Sequence, residues 1–192
     1  MTCRTAAWLL LITVAVPSIA GAQRPTTEYR VLATSKTSTM LKEMQQAADA
    51  GYRFAAVMGG ETSFGGSEVV VLMQKTGPAE RRFAYRLLAT SKTSTMQREL
   101  QDAADAGFEY IGQTVFQSMF GGSEVAVILE RDPATPERRR YEYKLIATKK
   151  TSTLQKELQE AGQQGFEALG MTVGETASSG GELVVITRRP VG

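Results

Sequence analysis

The sequence predicts an α+β protein that consists of a signal peptide followed by three tandem β-α-β-β repeats. The first observation is a repeated stretch: "LATSKTSTM" occurs at residues 32–40 and again at 88–96, and the variant "IATKKTSTL" occurs at 146–154. The second is that apolar residues change from strand-like to helix-like spacing inside each copy. The third is a continuous apolar run near the end of each copy, which is typical of a strand buried on both faces.

Residues 1–22 have the layout of a secretory signal peptide. Arg4 precedes an apolar run at 6–16, which Pro17 and a small-residue A-x-A site follow, so we expect cleavage before Gln23. The apolar run is shorter than the ~20 residues that a membrane-spanning helix needs. We therefore expect a secreted or periplasmic protein with no membrane span after signal removal; an uncleaved anchor is the alternative.

Composition limits the chemistry that the mature chain can perform. The 192 residues include no histidine and a single cysteine, Cys3, which is lost with the signal peptide. The mature chain therefore has no disulfide, no thiol nucleophile and no histidine to act as a general base or metal ligand. We assign no catalytic residue, no metal site and no cofactor, and the small formal net charge of +2 does not indicate a nucleic-acid partner.

The three repeats begin at equivalent tyrosines, Tyr29, Tyr85 and Tyr143. We assign the repeats to residues 28–75, 84–131 and 142–189. The segments between them contain proline and charged residues, which is typical of exposed linkers. In each repeat a short aliphatic segment predicts the first strand, and an aromatic-led segment and the apolar run predict the second and third strands.

A helix with one apolar face is expected after the first strand of each repeat. The residues expected on the buried face are Met40, Met44, Ala47 and Ala48, then Met96, Leu100, Ala103 and Ala104, then Leu154, Leu158 and Ala161. Gly51, Gly107 and Gly165 follow at the position where a left-handed residue ends a helix. Ser38 or Thr39 is expected to cap the first turn of the first helix.

The apolar third strand is expected at the centre of each three-stranded sheet, which gives the strand order 1-3-2. Because the connection between the first two strands passes through the helix, these strands should be parallel to each other with a right-handed crossover. One helix covers only one face of a small sheet, so a second structure must cover the other face. Either a neighbouring repeat packs sheet to sheet or a second chain binds there, and both interpretations stay open.

The helix ends read "DAGYRF", "DAGFEY" and "QQGFEA", with "YRVLAT" upstream and "VVVLMQK" downstream in the first copy. With these features each repeat resembles a small bacterial family of β-α-β-β domains of unknown function, in which the helix ends in Gly-Trp-Glu-Leu. Here Tyr52, Phe108 and Phe166 stand at the tryptophan position, and Arg53 replaces the acidic residue in the first repeat. The resemblance implies the β-α-β-β fold and carries no activity.

A candidate ligand site lies where the first strand meets the helix in each repeat. This loop, the turn after the second strand and the helix N-terminus are expected at one edge of the sheet, where open α/β sheets bind ligands. The candidate residues are Lys36, Ser38 and Glu68, then Lys92, Ser94 and Glu124, then Lys150, Ser152 and Glu182. Hydroxyls, a lysine and free backbone N–H groups suit an anion or a sugar. The alternative is structural: Ser38 or Thr39 caps the helix and Lys36 pairs with Glu68.

The leading function is a non-catalytic binding or assembly module that works through the repeated loop edge or through exposed sheet faces. Self-association, a protein partner and an anionic glycan are all consistent with this prediction. The alternative is a hydrolase that uses Ser, Glu or Asp without histidine. A concave pocket that holds an acid with a raised pKa would favour the enzyme, and three similar shallow surfaces would favour the module.

Overall fold

Three β-α-β-β repeats stacked on one another form the structure, which is a computed structural model. It describes residues 26–62, 66–77, 82–117, 123–135, 140–176 and 180–191. The predicted signal peptide and parts of the Gly-Gly turns lie outside these ranges. Within the described ranges, no helix has both the length and the hydropathy that a membrane crossing requires.

Each repeat contains one helix and three strands in the same order. The first repeat has β1 (Thr27–Thr34), α1 (Thr37–Asp49), β2 (Arg53–Thr62) and β3 (Gly66–Thr76). The second has β4 (Ala84–Thr90), α2 (Thr93–Asp105), β5 (Glu109–Gln117) and β6 (Ser123–Arg131). The third has β7 (Tyr141–Thr148), α3 (Thr151–Gln163), β8 (Glu167–Thr176) and β9 (Gly180–Pro190).

The three sheets share one topology, and it confirms the predicted α+β class and strand order. Their orders are β1-β3-β2, β4-β6-β5 and β7-β9-β8, and all neighbouring strands are antiparallel. The first two strands of a repeat are therefore parallel to each other, with the apolar third strand between them. The register is also shared, because Tyr29, Tyr85 and Tyr143 lie opposite Gln74, Glu130 and Arg188 respectively.

The helices bury the faces that their apolar spacing predicts. In α1 and α2 all the expected residues are buried; in α3 Leu154 and Ala161 are buried, and Leu158 is partly buried against the same cluster. Each helix ends before a glycine with a positive φ, such as Gly51 at +88°. The amide of Tyr52 then donates to the carbonyl of Ala47 at 3.0 Å, which closes the last turn.

The predicted capping by Ser38 or Thr39 is wrong. The helix begins at Thr37, so Lys36 is the N-cap residue, and it makes no side-chain cap hydrogen bond. Ser38 and Thr39 already lie inside the first turn, beyond the one position from which a side chain can cap the helix. The hydroxyl of Thr34 has a different role, since it accepts a hydrogen bond from the amide of Lys36 at 3.2 Å and fixes the turn into the helix.

Each helix fills the space between its own sheet and the sheet of the following repeat. The core around α1 includes Val71 and Met73 of β3, together with Tyr85 of β4 and Ile128 of β6 from the second repeat. The core around α2 likewise adds Tyr143, Val184 and Ile186 of the third repeat. We call the sheet face that carries the starting tyrosine the acceptor face. The donor face is the opposite side of the same repeat, formed by the helix and by the part of the second strand that this helix leaves uncovered.

The sheets also touch directly, through the second strands of consecutive repeats. Gly59 of β2 lies so close to β5 that a Cβ atom there would be 2.0 Å from the carbonyl oxygen of Val115. A Cβ atom at Gly112 would lie 2.9 Å from the ring of Phe54. The predicted sheet-to-sheet contact is therefore present, but a helix from the preceding repeat occupies the rest of each interface.

The close approach at Gly59 predicts a specific loss of stability. We expect Gly59→Ala to lower the free energy of unfolding by about 1–3 kcal/mol, because backbone atoms of β5 must move to admit the methyl group. The adjacent Gly60 is the matched control, since a Cβ atom there meets nothing within 4 Å. Urea unfolding of both variants would measure the difference. Equal stability of the two variants would contradict the direct contact between β2 and β5.

Candidate functional site

The loop between the first strand and the helix is built in the same way in all three repeats. Thr90 and Thr148 repeat the role of Thr34, accepting from the amides of Lys92 and Lys150 at 3.1 and 3.4 Å. The candidate lysines and serines are exposed, and the candidate acids Glu68, Glu124 and Glu182 are half-buried at the start of the central strands. The structure thus brings Glu68 to the predicted edge, where it lies opposite Gly60 of β2.

The expected ion pair between Lys36 and Glu68 does not form. None of the salt bridges between described residues joins the two, although Glu68 has a partner of its own. No hydroxyl of Ser38, Ser94 or Ser152 is hydrogen-bonded to a lysine or a carboxylate within the described part of the chain. The described residues also include no cluster of acidic side chains that could hold a metal ion.

The three loops stand at equivalent positions of their repeats, each between the first strand and the helix. Contacts between repeats also join equivalent positions of the second strands, as with Gly59 and Val115.

The residues of the helix-end motif serve the fold inside each repeat. Tyr52 lies between two cations, with the Arg30 guanidinium 4.5 Å and the Lys75 ammonium 5.8 Å from its ring centre. Phe108 lies between Arg86 and Arg131 in the same way, and Phe166 lies between Lys144 and Arg189. A basic residue from the first strand and one from the last strand thus stack on the aromatic residue that follows the helix.

A tyrosine hydroxyl connects each repeat to the one before it. The amide of Phe54 in β2 donates to the Tyr85 hydroxyl at 2.9 Å, and the amide of Tyr110 in β5 donates to the Tyr143 hydroxyl at 2.9 Å. Burial and, next, the charge of Glu130 raise the pKa of Tyr85 well above its ordinary value. Burial also raises the pKa of Tyr143. The phenols therefore remain neutral hydrogen-bonding groups at neutral pH.

Glutamine side chains of the preceding helix form hydrogen bonds with the backbone N–H and C=O groups on the free edge of the first strand of each later repeat. Gln45 of α1 accepts from the amide of Tyr85 at 3.3 Å and donates to the carbonyl of Phe83 at 3.2 Å. In α2, Gln101 bonds the backbone of Tyr141 and Tyr143 in the same manner, and Gln97 bonds that of Tyr143 and Leu145. These bonds cover an edge that would otherwise expose unpaired backbone groups.

A salt bridge with exchanged charges crosses each of the two interfaces. In the first interface Arg53 of β2 contacts Glu130 of β6 at 2.7 Å, and Glu130 is buried. In the second, Glu109 of β5 contacts Arg188 of β9 at 3.4 Å, so the basic and acidic positions are reversed. Hydrogen bonding to Glu130 raises the pKa of the Arg53 guanidinium. Both pairs line one cleft of about 230 Å³ between the repeats. Within each pair the two opposite charges neutralise each other.

The acceptor face of the first sheet is exposed. Tyr29 is 63% exposed, whereas the equivalent Tyr85 and Tyr143 are 6% and 2% exposed. Val31 and Met58 on the same face are also mostly exposed. The face carries the apolar pattern of the covered acceptor faces, and no other described residue covers these three side chains.

Comparison of the chain with models of protein families, with curated proteins and with solved structures gives no match. The resemblance to the β-α-β-β family therefore stays a prediction.

The residues that join the repeats were missed in the sequence. The signal was nevertheless present as repetition: a glutamine recurs at Gln45, Gln101 and Gln159, one position after an apolar helix residue. The exchange of Arg53 and Glu130 for Glu109 and Arg188 is a second signal, since two positions change charge together between repeats. Such paired changes indicate contact between the two positions. They are recognised only when the second strand of one repeat is compared with the third strand of the next repeat.

The exchanged charges predict a rescue experiment. Arg53→Glu should lower the free energy of unfolding by about 2 kcal/mol, because it leaves the buried Glu130 beside another carboxylate. Adding Glu130→Arg should restore most of the loss, because the double variant reproduces the order found at Glu109 and Arg188. Urea unfolding of the wild type, both single variants and the double variant gives the coupling energy. Additive losses would contradict the proposed equivalence of the two interfaces.

Proposed function

We propose that the protein is an exported, non-catalytic assembly module that binds another protein through the acceptor face of its first sheet. The single observation that carries the proposal is the exposure of this face, with Tyr29, Val31 and Met58 all mostly exposed. In the two later sheets the same face binds an amphipathic helix and an adjoining strand. Export is supported by the sequence alone, through the signal-peptide layout of residues 1–22.

The energetics favour this face over the repeated loops. A helix N-terminus contributes only about 0.3–1 kcal/mol to binding a charge. A millimolar ligand already needs about 4 kcal/mol. Burial of an apolar side chain contributes about 1.5–3 kcal/mol, so two or three exposed side chains on one face can supply the required energy.

The mode of recognition follows from the internal interfaces. An incoming partner would lay an amphipathic helix against β1, just as α1 lies against β4 and α2 against β7. Its polar side chains would bond the free backbone of β1, as the glutamines of α1 and α2 bond β4 and β7. The partner is therefore expected to present a helix with an apolar stripe and a hydrogen-bonding side chain beside it.

The test is site-specific photo-crosslinking in the cells that export the protein. We expect a benzoylphenylalanine residue at Val31 to form an adduct with a defined polypeptide, identified by mass spectrometry. The same residue at the exposed Arg98 of α2 is the control and should give none. Absence of any protein adduct at Val31, or equal adducts at both positions, would refute a binding role for this face.

A second variant separates this face from the loops. Changing Lys36, Lys92 and Lys150 together to Ala should leave the adduct at Val31 unchanged, because these side chains lie on the loop edge and not on the acceptor face. Loss of the adduct in the triple variant would instead assign partner binding to the loops.

A further inference from the structure

We infer that the partner is a second copy of the same chain, whose donor face of repeat three covers the acceptor face of repeat one in a head-to-tail arrangement. This inference rests on the proposed function, because it names the occupant of the same face. Each residue at the two free ends has equivalents in the two internal interfaces, where the contacts are known.

The exposed apolar side chains lie almost entirely on the two ends of the stack. Among described residues, the exposed large apolar ones are Tyr29, Val31, Met58, Met171, Val173 and Val191. The first three lie on the acceptor face of the first sheet, and Met171 and Val173 lie on the donor side of β8. The chain makes this type of interface twice between its own repeats. The two surfaces that form it, an acceptor face and a donor face, are also present and exposed at the two ends of the stack.

The last helix retains the glutamines that bind a strand edge. Gln155 and Gln159 of α3 are the equivalents of Gln97 and Gln101 of α2, which bond β7 through four hydrogen bonds. Both are exposed, and neither forms a hydrogen bond with a strand among the described residues. The free edge of β1 in a second copy presents the equivalent backbone groups, those of Thr27, Tyr29 and Val31. The fold of one chain does not need these glutamines, whereas a head-to-tail contact uses both.

Side-chain sizes at the two ends are complementary. Inside the chain, Gly112 leaves room for the ring of Phe54, and Gly170 leaves room for Tyr110. At a junction between two copies the equivalent positions are Ala56 on the acceptor face and Ala168 on the donor face. The acceptor residue has gained a methyl group where the donor residue has lost its ring, so the two side chains do not clash. They fill less of the space than a ring packed on a glycine, so the packing at the junction is looser than in the internal interfaces.

A second pair also meets across the junction. The side chain of Gln113 donates to the hydroxyl of Thr172 at 3.0 Å in the second internal interface. The equivalents at the junction are Met171 of one copy and Met58 of the other. Two exposed methionines would thus bury each other in place of a hydrogen bond, which suits the adaptable packing of methionine.

The junction between copies lacks the arginine of the internal interfaces. Glu167 of the donor face would meet Gln74, where Glu109 meets Arg188 inside the chain. Thr27 also stands where Phe83 and Tyr141 provide a ring for an arginine to stack on. A glutamine can still donate to Glu167, so the contact is compatible but weaker than its internal counterparts. The association is therefore reversible, and because the two faces differ, it produces open chains or rings.

Sedimentation velocity of the whole mature chain tests the inference. We expect the wild type to shift from monomer to larger species between about 1 µM and 1 mM, the range in which a weak, specific contact operates. Replacing Gln155 and Gln159 with Ala should weaken the association at least ~10-fold, since up to four hydrogen bonds are lost. The melting temperature of the dilute monomer should not change.

The control removes two side chains that lie about 100° further round the same helix, one residue along from each glutamine. Lys156→Ala with Glu160→Ala takes away an exposed pair of opposite charges without changing the net charge. This variant should associate like the wild type. If it weakens the association as much as the glutamine changes do, α3 does not use the face inferred here.

Gln74 allows the contact to be strengthened or weakened on purpose. Gln74→Arg recreates the pair of Glu109 and Arg188 at the junction and should tighten the association about tenfold, the equivalent of about 1.4 kcal/mol. Gln74→Glu places a second carboxylate beside Glu167 and should weaken it. A wild type that stays monomeric up to ~1 mM, together with no gain from Gln74→Arg, would overturn the inference.

A chemical cross-link reports the geometry directly. The mature chain has no cysteine of its own, so one protein carries Met58→Cys and a second carries Met171→Cys as the single thiol. A short bismaleimide should join the mixed pair more efficiently than either protein alone. Preferential joining of two Met58→Cys chains would indicate a symmetric face-to-face dimer and would overturn the head-to-tail arrangement.

The proposed function and this inference can fail separately. An adduct between Val31 and a different protein, with a monomeric wild-type chain, would refute self-assembly and leave the binding role of the face intact. No adduct at Val31 and no association in solution would refute both.

Discussion

The stack depends on one contact, in which a strand amide of one repeat donates to the buried tyrosine hydroxyl of the next. Phe54 and Tyr110 donate to Tyr85 and Tyr143, both at 2.9 Å. This contact fixes the distance between consecutive sheets, and the helix glutamines then reach the edge of the following first strand. A single repeat of this size buries only about 60% of its chain surface and is marginally stable alone, so its neighbours contribute much of its stability.

A stack of this kind has two different ends, and the exposure of Tyr29 is the direct consequence. Repeat proteins commonly cover their terminal faces with polar residues, because an open apolar face invites association. Here the terminal faces keep the apolar residues and the glutamines of the internal interfaces. Three internal contacts have no exact counterpart at the ends. Gln74 and Thr27 replace the charged and aromatic residues at the salt bridge, Ala168 replaces the ring of Phe54 or Tyr110, and Met58 and Met171 replace the hydrogen bond between Gln113 and Thr172. The ends are thus suited to a weaker version of the internal contact.

The sequence predicts the single repeat well and the assembly of repeats poorly. Local spacing and backbone preference predict the buried helix face, the glycine at the end of each helix and the central position of the apolar strand. The predicted capping residue, Ser38 or Thr39, lies two or three positions beyond the N-cap residue Lys36, because several hydroxyl residues compete at the helix start. Gln45, Arg53 and Tyr85 act between repeats, and local patterns cannot say which helix lies beside which sheet. The loop that carries Lys36 was predicted as a ligand site because it is repeated. Duplication of the whole unit is enough to explain that repetition.

Hydrogen exchange of three equivalent amides tests the account most directly. In dilute, monomeric protein the amides of Phe54 and Tyr110 are bonded to a tyrosine of the following repeat, whereas no tyrosine hydroxyl of the described residues is bonded to the amide of Ala168. The account predicts slow exchange at Phe54 and Tyr110 and exchange at least ~10-fold faster at Ala168, because exchange requires the hydrogen bond to open. Equal protection of all three amides, or rapid exchange at Phe54 and Tyr110, would contradict the stacking of repeats through the tyrosine.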